Sequence, residues 1–284
     1  MPSRPRMPRP ADRVLIGPVP APGLHVMTFN IRRRLGIDPR RADTWATRSP
    51  ALRVILSSEQ PALLGVQEAL PRQAHVVGRA LGPRYRRLGH GRNADGNGEG
   101  CPLYYDSERL ELRGWRQLAL SATPEVPGSR SWGNMTPRIL VLAEFRDRET
   151  DRHLTAVNTH FDNFSRRSRL DAAEAVRELV EQAGLPTVVT GDLNSGEDTA
   201  PLRELFSGGT LVDAWEAART RLSPDWGTFP NYREPRRDRK RIDWIAVTPS
   251  VEVDRIGIST RRPDGVWASD HLPVQAVVHL AGTA

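Results

Sequence analysis

A set of polar side chains stands where short apolar runs stop: Asn30, Glu68, His160, Asp162, Asp192, Asn194, Asp243, Asp270 and His271. They carry three kinds of chemistry. Carboxylates and an amide oxygen suit a hard cation such as Mg²⁺. Histidines transfer protons near neutral pH. Asn and Arg donate to an oxyanion. That inventory suits metal-assisted hydrolysis of a phosphate ester. Its most compact piece is Thr187-Val188-Val189-Thr190-Gly191-Asp192-Leu193-Asn194-Ser195. A β-branched run there ends abruptly in an acid and an amide two residues apart, so both can face one cleft.

Each residue has an ordinary reading as well. Gly-Asp and Asn are turn chemistry. Glu68, shortly before a helix-opening Pro71, could complement a helix N-terminus. His160 and His271 could each be satisfied structural histidines. Asp243 could form a surface ion pair with Arg241, which is worth little.

The elements that must position these groups are legible as strands and helices. Leu24–Ile31, Ala62–Glu68, Arg138–Phe145, His153–Thr159, Thr187–Gly191, Ile242–Val247 and Pro273–Leu280 read as strands. Pro102–Tyr105 and Leu110–Leu112 read as the arms of a hairpin. Ser49-Pro50 reads as a helix start, and Pro71 opens a helix through Leu81. Ser165 caps a helix from Arg166 to Gln182 that Gly184 stops. Pro201–Phe206 and Asp213–Thr220 read as helical. Residues 89–100 form an ordered Gly-rich loop, and 121–137 a long surface loop. Strands interspersed with helices and apolar on both faces argue an α/β layered fold.

The chain has 284 residues with 38% hydrophobic content, enough for one large α/β domain. No apolar run approaches a membrane span, so no membrane partner is expected. Residues 1–22 read as a disordered Pro/Arg-rich leader, and 23–281 as one catalytic domain. With no targeting segment, a cytoplasmic monomer is the default. The lone Cys101 forms no intramolecular disulfide, and a buried small hydrophobe is its expected role. A net charge of +7 hints at a nucleic-acid partner. The hint is modest, because residues 1–22 alone contribute +3 (Arg4, Arg6, Arg9 and Arg13 against Asp12) and Lys240 is the only lysine among 41 basic residues. Arg32–Arg34 reads as a solvated face. The run Arg233–Arg241 divides evenly between a solvated face and a rim that holds a polyanion.

Met27-Thr28-Phe29-Asn30, Val66-Gln67-Glu68, Asn158-Thr159-His160-Phe161-Asp162, Gly191-Asp192-Leu193-Asn194, Arg241-Ile242-Asp243-Trp244-Ile245 and Ser269-Asp270-His271-Leu272-Pro273-Val274 follow one another in that order. So arranged, the chain resembles the endonuclease/exonuclease/phosphatase superfamily. Gly91-Arg92, Asp95-Gly96 and Gly98-Glu99 resemble a bacterial branch, as does Leu120–Pro124 with Pro127-Gly128-Ser129. That branch is distantly similar to nocturnin-like and deadenylase-like nucleases. The resemblance implies a four-layer α/β/β/α sandwich, with two mixed β-sheets face to face, helices outside and the site across one sheet edge. It also explains why the polar residues sit at strand ends, which the ordinary readings do not.

The resemblance implies roles residue by residue. Glu68 would be the principal ligand for Mg²⁺ (or Mn²⁺), with Asn30 and Asp270 beside it. Asp192 would orient or deprotonate the attacking water, and Asn194 would steady the phosphate. His271 would be held by Asp243, and His160 would pair with Glu99. The general base would be His271 or Asp192. Asp162 and Asn163 would touch substrate. Apart from the resemblance, Arg92 is the candidate contact to the substrate phosphate, because its loop also carries Glu99. The Tyr-x-x-x-Asn motif of abasic-site endonucleases is not evident, and neither are inositol-phosphatase motifs. A divalent-metal-dependent phosphoester hydrolase is therefore expected, with a nuclease-like phosphodiesterase on RNA or DNA first. A small-molecule phosphatase for a sugar phosphate or nucleotide is second. A non-catalytic phosphate- or nucleic-acid-binding module is the remaining alternative.

Overall fold

The computed structural model describes residues 13–38 and 40–280. Its strands are β1 (Leu24–Asn30), β2 (Leu63–Gln67), β3 (Tyr85–Leu88), β4 (Leu103–Asp106), β5 (Leu110–Ala119), β6 (Ile139–Asp147) and β7 (His153–His160). They continue with β8 (Thr187–Asp192), β9 (Val212–Asp213), β10 (Thr220–Arg221), β11 (Asp243–Val247), β12 (Val251–Ile258) and β13 (Val274–Leu280). The helices are α1 (Trp45–Glu59), α2 (Pro71–Leu81), α3 (Arg166–Ala183), α4 (Ala200–Leu205) and α5 (Ala214–Ala217).

A seven-stranded sheet of order β10-β12-β13-β1-β2-β4-β3 faces a six-stranded sheet of order β5-β6-β7-β8-β11-β9. Both mix parallel and antiparallel pairs. One core joins the facing sheets through Val26, Leu63, Val141, Ala156, Val188 and Ile245. A second seats α3 and α4 on the six-stranded sheet through Val157, Val176, Val189 and Leu202. The third seats α1 and α2 on the other sheet through Phe29, Leu52, Val66 and Val77. The expected four-layer α/β/β/α sandwich is the fold.

Side chains alternate between faces along a strand, and this decides what meets between the sheets. Along β1 the inner face runs from Leu24 and Val26 through Thr28 to Asn30. Along β7 it runs from Leu154 and Ala156 through Asn158 to His160. Along β8 it runs from Val188 through Thr190 to Asp192, and backwards along β11 from Val247 and Ile245 to Asp243. Each face thus grades from apolar through neutral polar to ionisable at one common edge. The neutral polar layer is a buried girder. Gln67 Nε2 donates to Asn158 Oδ1 at 2.7 Å, as does Thr190 Oγ1 at 3.1 Å. Asn158 Nδ2 faces the carbonyls of Val66, Cys101 and Pro102. Only glycine fits beside it, since a Cβ on Gly65 would lie 2.2 Å from Thr190 Oγ1.

Some expectations shift. The first helix starts at Trp45, capped by Thr44, and Pro50 lies inside it rather than at its start. The two arms of the expected hairpin belong to different sheets, β4 pairing with β2 and β3, and β5 with β6. β3 escapes the sequence reading because Arg86 and Arg87 interrupt its apolar ends, and β12 because a bulge breaks its alternation between Val253 and Arg255. The helix expected over 213–220 is one turn, Ala214–Ala217.

The expected leader divides. Residues 1–12 lie outside the described residues, whereas Leu15–Gly17 dock on the fold. Their backbone N–H groups donate to the buried Glu59 carboxylate at 2.8, 3.1 and 2.9 Å. His25 Nδ1 faces the Gly17 carbonyl at 2.8 Å. Glu59→Ala orphans those donors, so a loss of about 2–4 kcal/mol is expected, read as a lower urea midpoint at similar slope. Among the described residues no helix is long and apolar enough to cross a membrane.

Candidate active site

The seven-stranded sheet delivers Asn30 at the end of β1, register partner of Gln67, and Glu68 one residue past β2. The six-stranded sheet delivers His160, Asp192 and Asp243, with His160 paired to Asp192 and Asp192 to Asp243 in neighbouring strands. Asp270 and His271 arrive on the loop before β13. Glu68, Asn194 and Arg32 all take left-handed backbone, with φ of 61°, 48° and 50°. Non-glycine residues pay for this conformation, and it concentrates at functional sites.

Asn30 is fully buried and clamps the two sheets' carboxylates together. Its Nδ2 donates to Glu68 Oε1 at 3.0 Å and to Asp192 Oδ2 at 2.9 Å, while its Oδ1 accepts from the Arg32 N–H. Both ends of its amide are thus engaged, so Asn30 organises the carboxylates whatever its Oδ1 does toward a cation. Glu68 Oε2 accepts from the Arg33 N–H. Burial would raise the Glu68 carboxyl, but the Arg33 and Asn30 donors override it and hold it below the ordinary range. Asp270 is raised instead, by burial and the neighbouring Glu68 charge, against His271 and Arg32. Glu68 and Asp270 both line the cleft. Two carboxylates at mutual cost are a hard, all-oxygen donor set that fits Mg²⁺ or Mn²⁺.

Behind them His271 Nδ1 faces Asp243 Oδ2 at 2.9 Å, and its Nε2 lies 3.8 Å from Asp192 Oδ2. Burial alone would lower His271. Asp243 and Asp192 outweigh it and hold the imidazole well above its ordinary value. Asp192 is pushed up to about 7 by burial and then by Asp243, into the range a base needs at neutral pH. Asp192, Asp243 and His271 also lie close enough together to hold an ion. Of the three, Asp243 is completely buried and already bonded to His271.

His160 behaves oppositely. Burial, then Arg138, His271 and Arg92, holds it well below its ordinary value. In that neutral form its Nε2 accepts from Asn194 Nδ2 at 3.0 Å, leaving the proton on Nδ1. The expected His160–Glu99 pair does not form. Glu99 Oε1 is taken by Arg33 at 2.8 Å and Arg92 at 3.0 Å, partners that carry permanent charge. Asp162 is corrected as well. It is buried, and its Oδ1 accepts from the Phe164 and Ser165 N–H groups while Oδ2 holds Arg138 Nε at 3.2 Å. It does not line the cleft, whereas Asn163, Arg92, Glu99, His160, Asp192 and Asn194 do.

Arg138 is the residue the sequence reading missed. It is buried and lines the cleft, steered by Asp162 and by Asn163 Oδ1 at 2.8 Å. A signal existed: β6 runs antiparallel to β7, so the residue before β6 reaches the edge where β7 ends. Arg33 was missed in its triplet. Phe229, in the cleft wall, packs its ring 4.7 Å from His271. Arg241, by contrast, leaves the rim. It is buried against Asp213 at 2.7 Å and lies 3.9 Å from the Trp244 ring centroid. Cys101 is buried with its thiol pushed up to about 12 by desolvation, as a packing residue would be.

Fold and site together define a two-sheet phosphoesterase scaffold with its acids and imidazoles at one sheet edge. The profile of the Endonuclease/Exonuclease/phosphatase family matches residues 27–271, and the chain belongs to that family. No curated protein matches the chain in sequence. Among solved structures, an endonuclease/exonuclease/phosphatase family protein from Bacteroides thetaiotaomicron is 30% identical, with a TM-score of 0.84 over 90% of this chain and 97% of that one. A mannosyl-6-phosphatase from the same organism is 29% identical, with a TM-score of 0.83 over 90% and 99% of the two chains. The human Nocturnin catalytic domain, with a bound sulfate anion, shares the fold at 17% identity and a TM-score of 0.68 over 92% and 94%.

Proposed function

We propose that this chain is a divalent-metal-dependent phosphatase that hydrolyses a small phosphate monoester, with sugar phosphates the first class to test. The carrying observation is the cleft of about 470 Å³, in which the Arg33–Glu99–Arg92 cluster, Arg138 and Asn163 share a wall with the acids and imidazoles. Charged donors paired with a carboxylate acceptor suit hydroxyls next to a phosphate. The mannosyl-6-phosphatase similarity supports the same class. Nuclease-like phosphodiester cleavage, first in the sequence reading, becomes second. It retains the support of the exposed Phe164 and Phe229 rings at the cleft, surfaces on which a base could stack.

In this reading Glu68 and Asp270 hold Mg²⁺ or Mn²⁺. When bound there, such a cation would supply neutralisation of the phosphate's negative charge. Asp192 orients water and accepts its proton as the water oxygen bonds to phosphorus and the bond from phosphorus to the ester oxygen breaks; that proton ends on the departing alkoxide, so the products are the free alcohol and inorganic phosphate. His271, kept protonated by Asp243, donates to a phosphoryl oxygen through Nε2. Arg92 and Arg138 supply further donors where negative charge develops, while Asn194, whose Nδ2 donates to His160 Nε2 and to the Phe161 carbonyl, keeps the His160 ring in place.

The test is phosphate release from p-nitrophenyl phosphate, sugar monophosphates and mononucleotides, beside bis-p-nitrophenyl phosphate, RNA and DNA. Each is run with Mg²⁺, Mn²⁺ or EDTA and across a salt series. Turnover of small monoesters that EDTA abolishes and salt barely alters is expected. Oligonucleotide cleavage that falls steeply with salt would install the nuclease reading. Folded protein with no metal-dependent turnover on any substrate would sink both.

A further inference from the structure

Arg48 lies in α1, and nothing above assigns it a task. It is among the largest fully buried side chains of the protein. Buried arginines ordinarily face carboxylates, yet among the described residues no carboxylate lies within ion-pair distance of this one. Its guanidinium is spent on four backbone carbonyls. Nε donates to Asp43 O at 2.8 Å, and Nη1 to Ile31 O at 2.8 Å and Ala268 O at 2.9 Å. Nη2 donates to Arg32 O at 3.1 Å.

Those carbonyls belong to the segments that carry the acid side of the cleft. Ile31 and Arg32 directly follow Asn30, the clamp on Glu68. Ala268 precedes Asp270 by two residues. Ser269 Oγ, donating to Asn30 O at 2.7 Å, ties the same two segments a second time. One rigid planar fork therefore spans the loop leaving β1 and the loop entering β13. A lysine, with one compact ammonium, cannot reach the same four acceptors.

We propose that Arg48 is the positioning residue that fixes Asp270 relative to Glu68, and so sets the protein's affinity for a divalent cation. The inference rests on the reading of Glu68 and Asp270 as the cation's holders. Removing the fork frees the 268–270 loop from the 31–32 loop, so the two carboxylates no longer share one preset geometry. Partners behind a metal's direct ligands change affinity by about 10–100-fold when lost, and Arg48 should fall in that range.

The experiment measures Mn²⁺ binding directly, from the free Mn²⁺ electron paramagnetic resonance signal, in the wild-type protein, Arg48→Lys and Arg48→Met. Thermal stability and phosphate release across Mn²⁺ concentration are followed in parallel. Arg109→Met is the control. Arg109 pairs with the buried Asp147 at the other end of β5 and β6, so this variant loses a buried ion pair far from the cleft. The expected result is Mn²⁺ binding weakened about 10–100-fold in Arg48→Met and less in Arg48→Lys. Activity should return at raised Mn²⁺ with KM for the phosphate ester near wild type. Arg109→Met should lose stability but keep wild-type Mn²⁺ affinity.

If Arg48→Met does not fold, Arg48→Lys carries the comparison. A folded Arg48 variant that binds Mn²⁺ as the wild type does overturns the inference. So does an equal loss of affinity in Arg109→Met, which would make the effect one of general stability. Wild-type protein that binds no Mn²⁺ overturns the metal reading itself and takes the inference with it.

Discussion

Asp243→Asn lowers kcat on a phosphate monoester by about 10³–10⁴-fold while leaving Mn²⁺ affinity near wild type; a buried carboxylate behind a catalytic imidazole has that scale of effect elsewhere. The amide nearly matches the carboxylate in shape, so the cleft should keep its outline. What disappears is the charge. Asp243 is the largest influence favouring the His271 imidazolium, ahead of Asp192. Asp243 Oδ1 has no hydrogen-bond partner among the described residues. His271→Gln should cost a similar factor, and the double variant little more than either alone, because the pair acts as one unit. The pH dependence of stability gives an independent reading. His271 is held above its unfolded value of about 6.5. Its contribution is therefore complete below pH ~6.5 and is lost as pH rises through the folded value. The stability gap between wild type and Asp243→Asn should be wider at pH ~6 than at pH ~9. Equal kcat in the two proteins, or a gap that widens with pH, would remove His271–Asp243 from the mechanism.

Much of this site is legible before any coordinates, and the reason is geometric. A strand with both faces buried leaves its last inward residue at the sheet edge, so Asn30, His160 and Asp192 announce themselves as polar residues closing apolar runs. Asp243 does the same at the head of β11, which runs antiparallel to β8. The four layers follow from the same alternation. What was not legible depends on direction and competition. Asp162 and Asn163 are adjacent after one strand, yet one turns inward to meet the N–H groups before α3 and the other faces the cleft. No periodicity separates them. Glu99 could have met His160, but the permanently charged guanidiniums of Arg33 and Arg92 hold its Oε1, and an arginine-rich composition hid which arginines those were. β4 and β5 looked like a hairpin because a short turn joins them; that turn instead passes the chain from one sheet to the other.

Arg138 is where that concealment matters most, and Arg138→Met should lower kcat/KM about 10²–10³-fold, the cost of removing one preorganised donor from a developing oxyanion. The arginine enters the cleft already oriented. Asp162 and Asn163 occupy Nε and Nη2, and no bond engages Nη1 among the described residues. Asp162 is itself held below the ordinary carboxylate range: burial would raise it, but the Ser165 and Phe164 N–H groups and then Arg138 prevail. The charge of Arg138 is thus balanced from behind and presented forward, with no reorganisation required when the phosphoryl group gains negative charge. Arg138→Lys should recover only part of the loss, because an ammonium cannot keep both the Asp162 and Asn163 bonds and still point into the cleft. Asp162→Asn should weaken catalysis through Arg138 alone, adding little to Arg138→Met in a double-variant cycle. Independent, additive losses from Asp162→Asn and Arg138→Met would instead place Asp162 in direct contact with substrate, against the geometry of its three hydrogen bonds. Full activity in Arg138→Met, with wild-type folding, would leave phosphate recognition to Arg92.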